Sequence, residues 1–224
     1  MKMAKYKVVE KFISINGESK AAGELACFIR FGGCNLCCSY CDTKWANKED
    51  ACYEEMTGEA IYDYVKATGL NNVTLTGGEP LLQENIGELI RHLSSDKSIR
   101  VEIETNGSIS IRKYLHFAEN VTFTLDYKLP GSGMDKYMCM ENYEILRPVD
   151  TVKFVVSDRT DLDVAKEIIE KYKLTDRVTV YLSSAFSQIE PADIVDYMID
   201  NKMNKVKLQL QMHKYIWEPD RKGV

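Results

Sequence analysis

The chain has 224 residues, of which 45% are hydrophobic and 28% charged, and its formal net charge is −5. This composition is typical of a globular protein, and the acidic balance disfavours a protein that coats nucleic acid or binds acidic membranes. No apolar run reaches the roughly 18 residues of a membrane-spanning helix. Residues 1–6 are basic but lead into an alternating strand pattern rather than a signal peptide, so we expect a cytoplasmic protein.

The first predicted strand covers residues 6–15 and ends in a polar turn that contains Asn16 and Glu18. A second, apolar strand follows at residues 25–31 and is interrupted by Arg30. A lone arginine in such a strand either extends to the surface or holds a carboxylate bidentately. The choice depends on what the strand leads into.

That strand leads into a loop with four of the seven cysteines, three of which have the spacing C-x3-C-x2-C. These are Cys34, Cys38 and Cys41, and Cys37 is an additional thiol that we interpret as a bystander. Structural zinc sites use four protein ligands, and no second ligand pair follows downstream. Three thiolates on one loop therefore indicate a 4Fe–4S cluster with one iron open to a non-protein ligand.

Further along the chain, helical and strand periodicities alternate. Helices are predicted at residues 57–68, 84–93, 160–172 and 191–199, the third with a capping box formed by Thr160 and Asp163. Strands are predicted at residues 72–76, 99–103, 121–125, 151–156, 178–182 and 206–211. The charged tail at residues 217–224 is expected at the surface.

This alternation predicts an α/β fold with a parallel sheet covered by helices. Because the polar motifs follow strands, we expect the active site at the carboxyl ends of the strands of a β/α barrel. The chain is short for eight units, so we predict a partial, open barrel of about six parallel strands. A doubly wound sheet is the alternative, but its Gly-x-Gly-x-x-Gly turn is missing. No linker divides residues 1–224, which we treat as one domain.

The cysteine spacing resembles that of the radical S-adenosylmethionine enzymes. The run Gly33-Cys34-Asn35-Leu36 with Tyr40-Cys41-Asp42-Thr43, the turn Gly77-Gly78-Glu79-Pro80 and the segment at residues 209–217 resemble the 7-carboxy-7-deazaguanine synthases of queuosine biosynthesis. This resemblance extends over essentially the whole chain. It implies a 4Fe–4S cluster, S-adenosylmethionine and Mg²⁺ as cofactors.

The resemblance also implies a role for individual residues. Contacts to S-adenosylmethionine are expected from Gly77, Gly78, Glu79, Glu104, Thr105, Asn106, Lys128, Ser132 and Lys153. Contacts to the substrate are expected from Asn16, Glu18, Arg30, Thr76 and His213. Thr43 matches the position of a magnesium ligand. No catalytic side chain is assigned, because the cofactors carry the chemistry while the protein positions the reactants and excludes water.

The implied reaction converts 6-carboxy-5,6,7,8-tetrahydropterin to 7-carboxy-7-deazaguanine with loss of ammonia. The implied partners are this small molecule, a reductant of the flavodoxin or ferredoxin type and a second copy of the chain. Two alternatives stay open. One is an activating enzyme that installs a glycyl radical on a partner protein, and the other is a zinc or iron–sulfur electron carrier without catalytic activity.

Overall fold

In the computed structural model, which describes residues 4–224, nine strands form a single sheet. The first three residues of the basic N-terminal segment lie outside the described residues. The strands are Lys5–Ile15 (β1), Leu25–Phe31 (β2), Glu54–Thr57 (β3), Asn72–Gly77 (β4), Arg100–Thr105 (β5), Val121–Tyr127 (β6), Thr151–Val156 (β7), Thr179–Ser184 (β8) and Val206–Leu208 (β9). The α-helices are Gly58–Thr68 (α1), Ile86–Ser95 (α2), Glu141–Ile145 (α3), Arg159–Lys171 (α4), Pro191–Asp200 (α5) and His213–Ile216 (α6).

The strand order is β3-β1-β2-β4-β5-β6-β7-β8-β9. All neighbours from β2 to β9 are parallel, whereas β1 pairs antiparallel with both β2 and β3. No pairing joins β3 to β9 in the described sheet, so the barrel is open. The predicted open parallel barrel is confirmed, with one short parallel strand more than the six expected and an antiparallel extension.

The outer face of the sheet is apolar because alternate residues of each strand pack against helices. In β5, for example, Val101 and Ile103 are fully buried. Ile61 of α1, together with Leu89 and Leu93 of α2, belongs to the same core. No helix within residues 4–224 is long and apolar enough to cross a membrane.

The inner face of the barrel carries the other half of the alternation and is polar. Strand register places Arg30 opposite Thr76, Glu104 opposite Thr124, and Asp126 opposite Lys153. Charged residues on consecutive strands therefore share one concave surface, which is where a parallel barrel holds its functional groups.

Two local predictions are corrected by the structure. The helix predicted to open at Thr160 begins one residue earlier, because the Asp158 carboxylate accepts the backbone N–H of Asp161 at 2.9 Å and forms the N-cap. The last strand ends at Leu208 rather than residue 211. The Gln209 side chain binds the backbone of Ser19 through two hydrogen bonds of 2.7 and 3.0 Å.

Candidate active site

A cavity of about 460 Å³ opens at the carboxyl ends of the parallel strands. Most of the predicted site residues line it: Glu18, Arg30, Cys34, Cys38, Cys41, Thr43, Thr76, Gly77, Gly78, Glu104, Thr105, Asn106, Lys128, Lys153 and His213. The exceptions are Asn16, Glu79 and Ser132. The fold thus brings residues from across the chain to one surface, while their individual roles stay predictions.

The three cysteines with the C-x3-C-x2-C spacing all face this cavity. Cys38 is buried and Cys34 and Cys41 are half-buried, whereas Cys37 is exposed and is not part of the cavity wall. Burial raises the pKa of the Cys38 and Cys41 thiols, and the nearby Lys128 ammonium acts in the opposite direction. Buried thiols beside a cation suit binding as thiolates once a metal replaces their protons.

The geometry of the loop is compatible with a cluster. Within residues 4–224, no group of three or more His, Cys, Asp or Glu side chains surrounds a single-ion position. A cluster does not require such a group, because each cysteine binds a different iron. The donor set of three cysteines facing a shared cavity fits a 4Fe–4S cluster with one open iron.

The glycine turn after β4 packs directly against the cysteine loop. A Cβ atom at Gly78 would lie 2.0 Å from the carbonyl oxygen of Gly33, and one at Gly77 would lie 2.2 Å from that of Phe31. The backbone N–H of Gly78 donates to Phe31 at 3.0 Å. Glycine is therefore required where these two backbones approach, and the turn forms a wall of the cavity without side chains.

Glu79 lies behind that wall and is fully buried. Its carboxylate accepts hydrogen bonds from Leu81 N at 3.0 Å, Thr105 Oγ1 at 2.8 Å and Asn106 N at 2.7 Å. Burial raises its pKa to about 7 against the effect of these donors. Asn106 Nδ2 in turn contacts the Cys34 sulfur at 3.6 Å. Glu79 thus fastens the end of β5 to the glycine turn and, through Asn106, to the cysteine loop.

Four half-buried charges of alternating sign cross the cavity floor. Lys128 Nζ lies 2.8 Å from Asp126 Oδ2, Lys153 Nζ lies 3.6 Å from the same oxygen, and Lys153 also pairs with Glu18. Burial alone would lower the pKa of both lysines, but Asp126 for Lys128 and Glu18 for Lys153 raise it above its ordinary value. Both lysines therefore remain charged. One oxygen each of Glu18 and Asp126 has no hydrogen-bond partner among the described residues.

Glu104 is a half-buried acid on the cavity wall, and it accepts a hydrogen bond from Thr76 Oγ1 at 2.8 Å. Burial, followed by the charge of Glu102 two residues earlier, raises its pKa to about 7. A carboxyl group with this pKa exchanges a proton near neutral pH.

Arg30, Thr43 and His213 also line the cavity. Arg30 Nε donates to Glu10 Oε2 at 2.9 Å, and Thr43 Oγ1 donates to Asp42 Oδ1 at 2.7 Å. Burial lowers the pKa of His213, although Glu18 and Asp42 act against it. His213 is therefore neutral at physiological pH and is able to donate and accept hydrogen bonds.

Two predicted contacts lie away from the cavity wall. Asn16 Oδ1 accepts from Thr74 Oγ1 at 2.8 Å and lines a separate cavity of about 360 Å³ near the amino ends of the parallel strands. Ser132 is buried in a 3₁₀ turn, where it donates to Leu129 O at 2.6 Å and accepts from Met134 N at 3.0 Å.

Several cavity residues were not identified from the sequence. Asp126, at the end of β6, shows the same signal as Glu104, a polar side chain closing an alternating strand. Glu10 had no such signal, because its position depends on the register in which β1 pairs with β2. The exposed tail at residues 219–224 also lines the cavity mouth, where Lys222 Nζ lies 4.1 Å from the centre of the Trp45 ring.

The open parallel barrel and the three-cysteine loop define a radical S-adenosylmethionine enzyme. Residues 28–139 match the family model described as the Radical SAM superfamily. A 7-carboxy-7-deazaguanine synthase of Clostridium acetobutylicum is 54% identical over 219 residues, which cover 98% of this chain and 99% of the relative. The corresponding protein of Leptospira interrogans is 34% identical over 241 residues, which cover 98% of this chain and 98% of the relative. This chain therefore belongs to the 7-carboxy-7-deazaguanine synthase family.

A solved structure shows the same fold. The crystal structure of QueE from Escherichia coli superimposes with a TM-score of 0.71 over 92% of this chain and 93% of that one, at 21% sequence identity. As a member of its family, this chain is an enzyme that acts on a small molecule with a 4Fe–4S cluster, S-adenosylmethionine and Mg²⁺ as cofactors.

Proposed function

We propose that this enzyme converts 6-carboxy-5,6,7,8-tetrahydropterin to 7-carboxy-7-deazaguanine with loss of ammonia, as a step of queuosine biosynthesis. The observation that carries the proposal is that one cavity contains the cysteine loop, the glycine turn and a set of polar groups suited to a carboxylated heterocycle. Its volume of about 460 Å³ is in the range of small-molecule sites. The product is the one named in the family's curated members.

Cofactor binding is assigned to the side of the cavity formed by the cysteine loop and the ends of β4 to β7. When bound, the reduced cluster supplies the electron that cleaves the sulfonium of S-adenosylmethionine and starts the radical reaction. Contacts to the amino-acid part and the ribose are proposed for Gly77, Gly78, Glu104, Thr105, Asn106, Lys128 and Lys153. Glu79 and Ser132, which lie behind the wall, support that surface from within.

Substrate binding is assigned to the part of the cavity lined by Glu18, Arg30, Thr76 and His213. Arg30 holds the carboxylate of the pterin, and the free oxygen of Glu18 accepts hydrogen bonds from its N–H groups. Thr76 and the neutral His213 complete the polar surface. Asn16, which binds Thr74 beneath the cavity, acts on the substrate only by supporting this part of the barrel floor.

Magnesium binding is assigned to Thr43. Its hydroxyl lines the cavity beside Asp42. Desolvation in the cavity acts to raise the pKa of Asp42, but the Thr43 hydrogen bond and the charges of Lys214, Arg30 and His213 lower it. Mg²⁺ prefers oxygen ligands and keeps several waters, so one hydroxyl together with the substrate carboxylate forms a credible site.

The remaining partners are those that the family resemblance implies. A flavodoxin- or ferredoxin-type protein is proposed as the electron donor, and the enzyme is proposed to act as a cytoplasmic homodimer. A reducing compartment suits this assignment because the free cysteines of the loop hold an oxygen-sensitive cluster.

Anaerobic turnover tests the proposal. The reconstituted enzyme is mixed with the carboxypterin, S-adenosylmethionine and a chemical reductant, with and without Mg²⁺, and products are identified by mass spectrometry. We expect 7-carboxy-7-deazaguanine in both arms and more of it with Mg²⁺. Cleavage of S-adenosylmethionine without any pterin product would instead support an activating enzyme for a protein partner.

A further inference from the structure

Glu10 stands out among the cavity residues because it places a carboxylate beside the arginine assigned to the carboxylate of the substrate. Arg30 Nε donates to Glu10 Oε2 at 2.9 Å, and the two side chains are only 19% and 18% exposed. An anion beside an anion-binding group weakens binding of the anionic ligand by repulsion. Its presence therefore calls for a specific explanation.

A β-bulge directs Glu10 into the cavity. Val8 pairs with Phe31, but the next pair is Glu10 with Arg30, so Val9 is an extra residue in β1. In regular pairing Val9 would face Arg30 and Glu10 would point to the helix-covered side of the sheet, because a one-residue shift reverses the face of each side chain. The bulge at Val9 therefore places Glu10 beside Arg30.

The contact leaves the binding end of the guanidinium free. Glu10 occupies Nε, while Phe12 lies against the guanidinium with its ring centre 5.7 Å from the Arg30 Cζ, and Phe12 is itself stacked on Phe28 at 4.9 Å. The two terminal nitrogens of Arg30 form no hydrogen bond with any residue from 4 to 224. Held on one edge and one face, the guanidinium presents those two nitrogens to the cavity as a fixed fork.

We propose that Glu10 is a positioning residue that fixes Arg30 for bidentate recognition of the substrate carboxylate, and that this pair determines selectivity for carboxylated pterins. The inference rests on the proposed function. Glu10 acts through its hydrogen bond to Arg30 rather than through its charge, because the charge itself opposes the substrate.

The test compares binding of 6-carboxytetrahydropterin with binding of its uncharged 6-carboxamide analogue by calorimetry, alongside KM and kcat. We expect Glu10→Ala to raise KM for the carboxylate about tenfold with a smaller change in kcat, and to reduce the preference over the carboxamide by a similar factor. Glu10→Gln keeps an oxygen that accepts from Nε, so its KM and selectivity stay within about twofold of wild type.

Two further variants complete the design. In an Arg30→Ala background, Glu10→Ala should have no additional effect, since Arg30 transmits its influence. Glu54→Ala is the matched control. It removes the exposed ion pair between Glu54 and Lys11, which lies in the same strand as Glu10, and should leave KM unchanged. Thermal unfolding checks that each variant is folded. If Glu10→Ala is unfolded, Glu10→Asp replaces it in the test. Its shorter side chain pulls the Arg30 guanidinium out of position, so we expect Glu10→Asp to lose selectivity.

Each outcome decides between the claims. A wild-type enzyme that forms no 7-carboxy-7-deazaguanine from the carboxypterin overturns the proposed function and this inference with it. A wild-type enzyme that forms the product but does not distinguish the carboxylate from the carboxamide overturns only this inference. A wild-type enzyme that distinguishes them, together with a Glu10→Ala variant that does so equally well or that weakens both compounds alike, overturns only the role of Glu10. An additional effect of Glu10→Ala in the Arg30→Ala background would also overturn only the role of Glu10.

Discussion

At the scale of single residues, the cavity is defined by partners that lie far apart in sequence. The end of β5 was recognised as a site because Glu104, Thr105 and Asn106 form a polar run that closes an alternating strand. That Glu104 meets Thr76, and that Asn106 meets Cys34, depends on strand order, which local periodicity does not specify. Residue types at strand ends were therefore predictable, whereas their partners were not.

Substitution of Thr43 tests the magnesium assignment. Thr43→Ala removes the oxygen ligand and should raise the Mg²⁺ concentration needed for half-maximal turnover by about tenfold, while Thr43→Ser retains it. The measurement is a magnesium titration of product formation in the three proteins. Wild-type magnesium dependence in Thr43→Ala would show that the hydroxyl only binds Asp42.

The half-buried acid Glu104 should change the pH dependence of the unfolding free energy. Its pKa is raised from 4.5 to about 7, so above pH 4.5 the native state retains a proton that the unfolded chain has lost. The contribution of Glu104 to the free energy of unfolding therefore falls as the pH rises from about 4.5 to about 7, by about 1.4 kcal/mol for each unit of raised pKa.

Denaturant unfolding of wild type and Glu104→Gln between pH 5 and pH 8 measures this contribution. The unfolding free energy of wild type should fall more steeply with pH than that of the variant, whose amide does not titrate. Glu79, whose pKa is not shifted by Glu104, contributes equally to both proteins and cancels in the comparison. Parallel pH profiles would contradict the raised pKa of Glu104.

At the scale of elements, strands and helices with clear periodicity were predicted close to their observed positions, as β5 and α5 illustrate. The exceptions have identifiable causes. β3 is a four-residue edge strand of mixed polarity, too short to show alternation. The bulge at Val9 leaves no mark on composition, because it is defined only by the register of β1 against β2.

The contact between the glycine turn and the cysteine loop can be tested at Gly78. Gly78→Ala introduces a methyl group 2.0 Å from a backbone oxygen, so β4 and the loop must separate. We expect a loss of about 2 kcal/mol or more in unfolding free energy, as for overpacked sites, together with weaker S-adenosylmethionine binding.

Gly69→Ala is the matched control. Gly69 ends α1 with a φ of 71°, and a methyl group added there would meet no atom within 4 Å, so only its left-handed backbone is strained. Its substitution should cost about 1 kcal/mol and leave cofactor binding unchanged. Equal effects of the two substitutions on S-adenosylmethionine binding would show that Gly78 has no special relation to the site.

At the scale of the whole molecule, the alternation of strands and helices was sufficient to predict an open parallel barrel with its functional groups at the carboxyl ends. The short β9 and the antiparallel β1 and β3 extend that sheet without closing it. The position of the tail could not be predicted from its charged composition. Contacts such as that of Lys222 with Trp45 place it at the cavity mouth.

The proposed function requires a ring contraction in this cavity that releases one ring nitrogen of the pterin as ammonia. The most direct measurement is the simultaneous quantification of ammonia and 7-carboxy-7-deazaguanine during anaerobic turnover of the carboxypterin, with Cys38→Ala as the matched inactive enzyme. We expect wild type to release both in equal amounts and the variant to release neither. Ammonia without the deazaguanine, the deazaguanine without ammonia, or equal production by Cys38→Ala would contradict the proposed function.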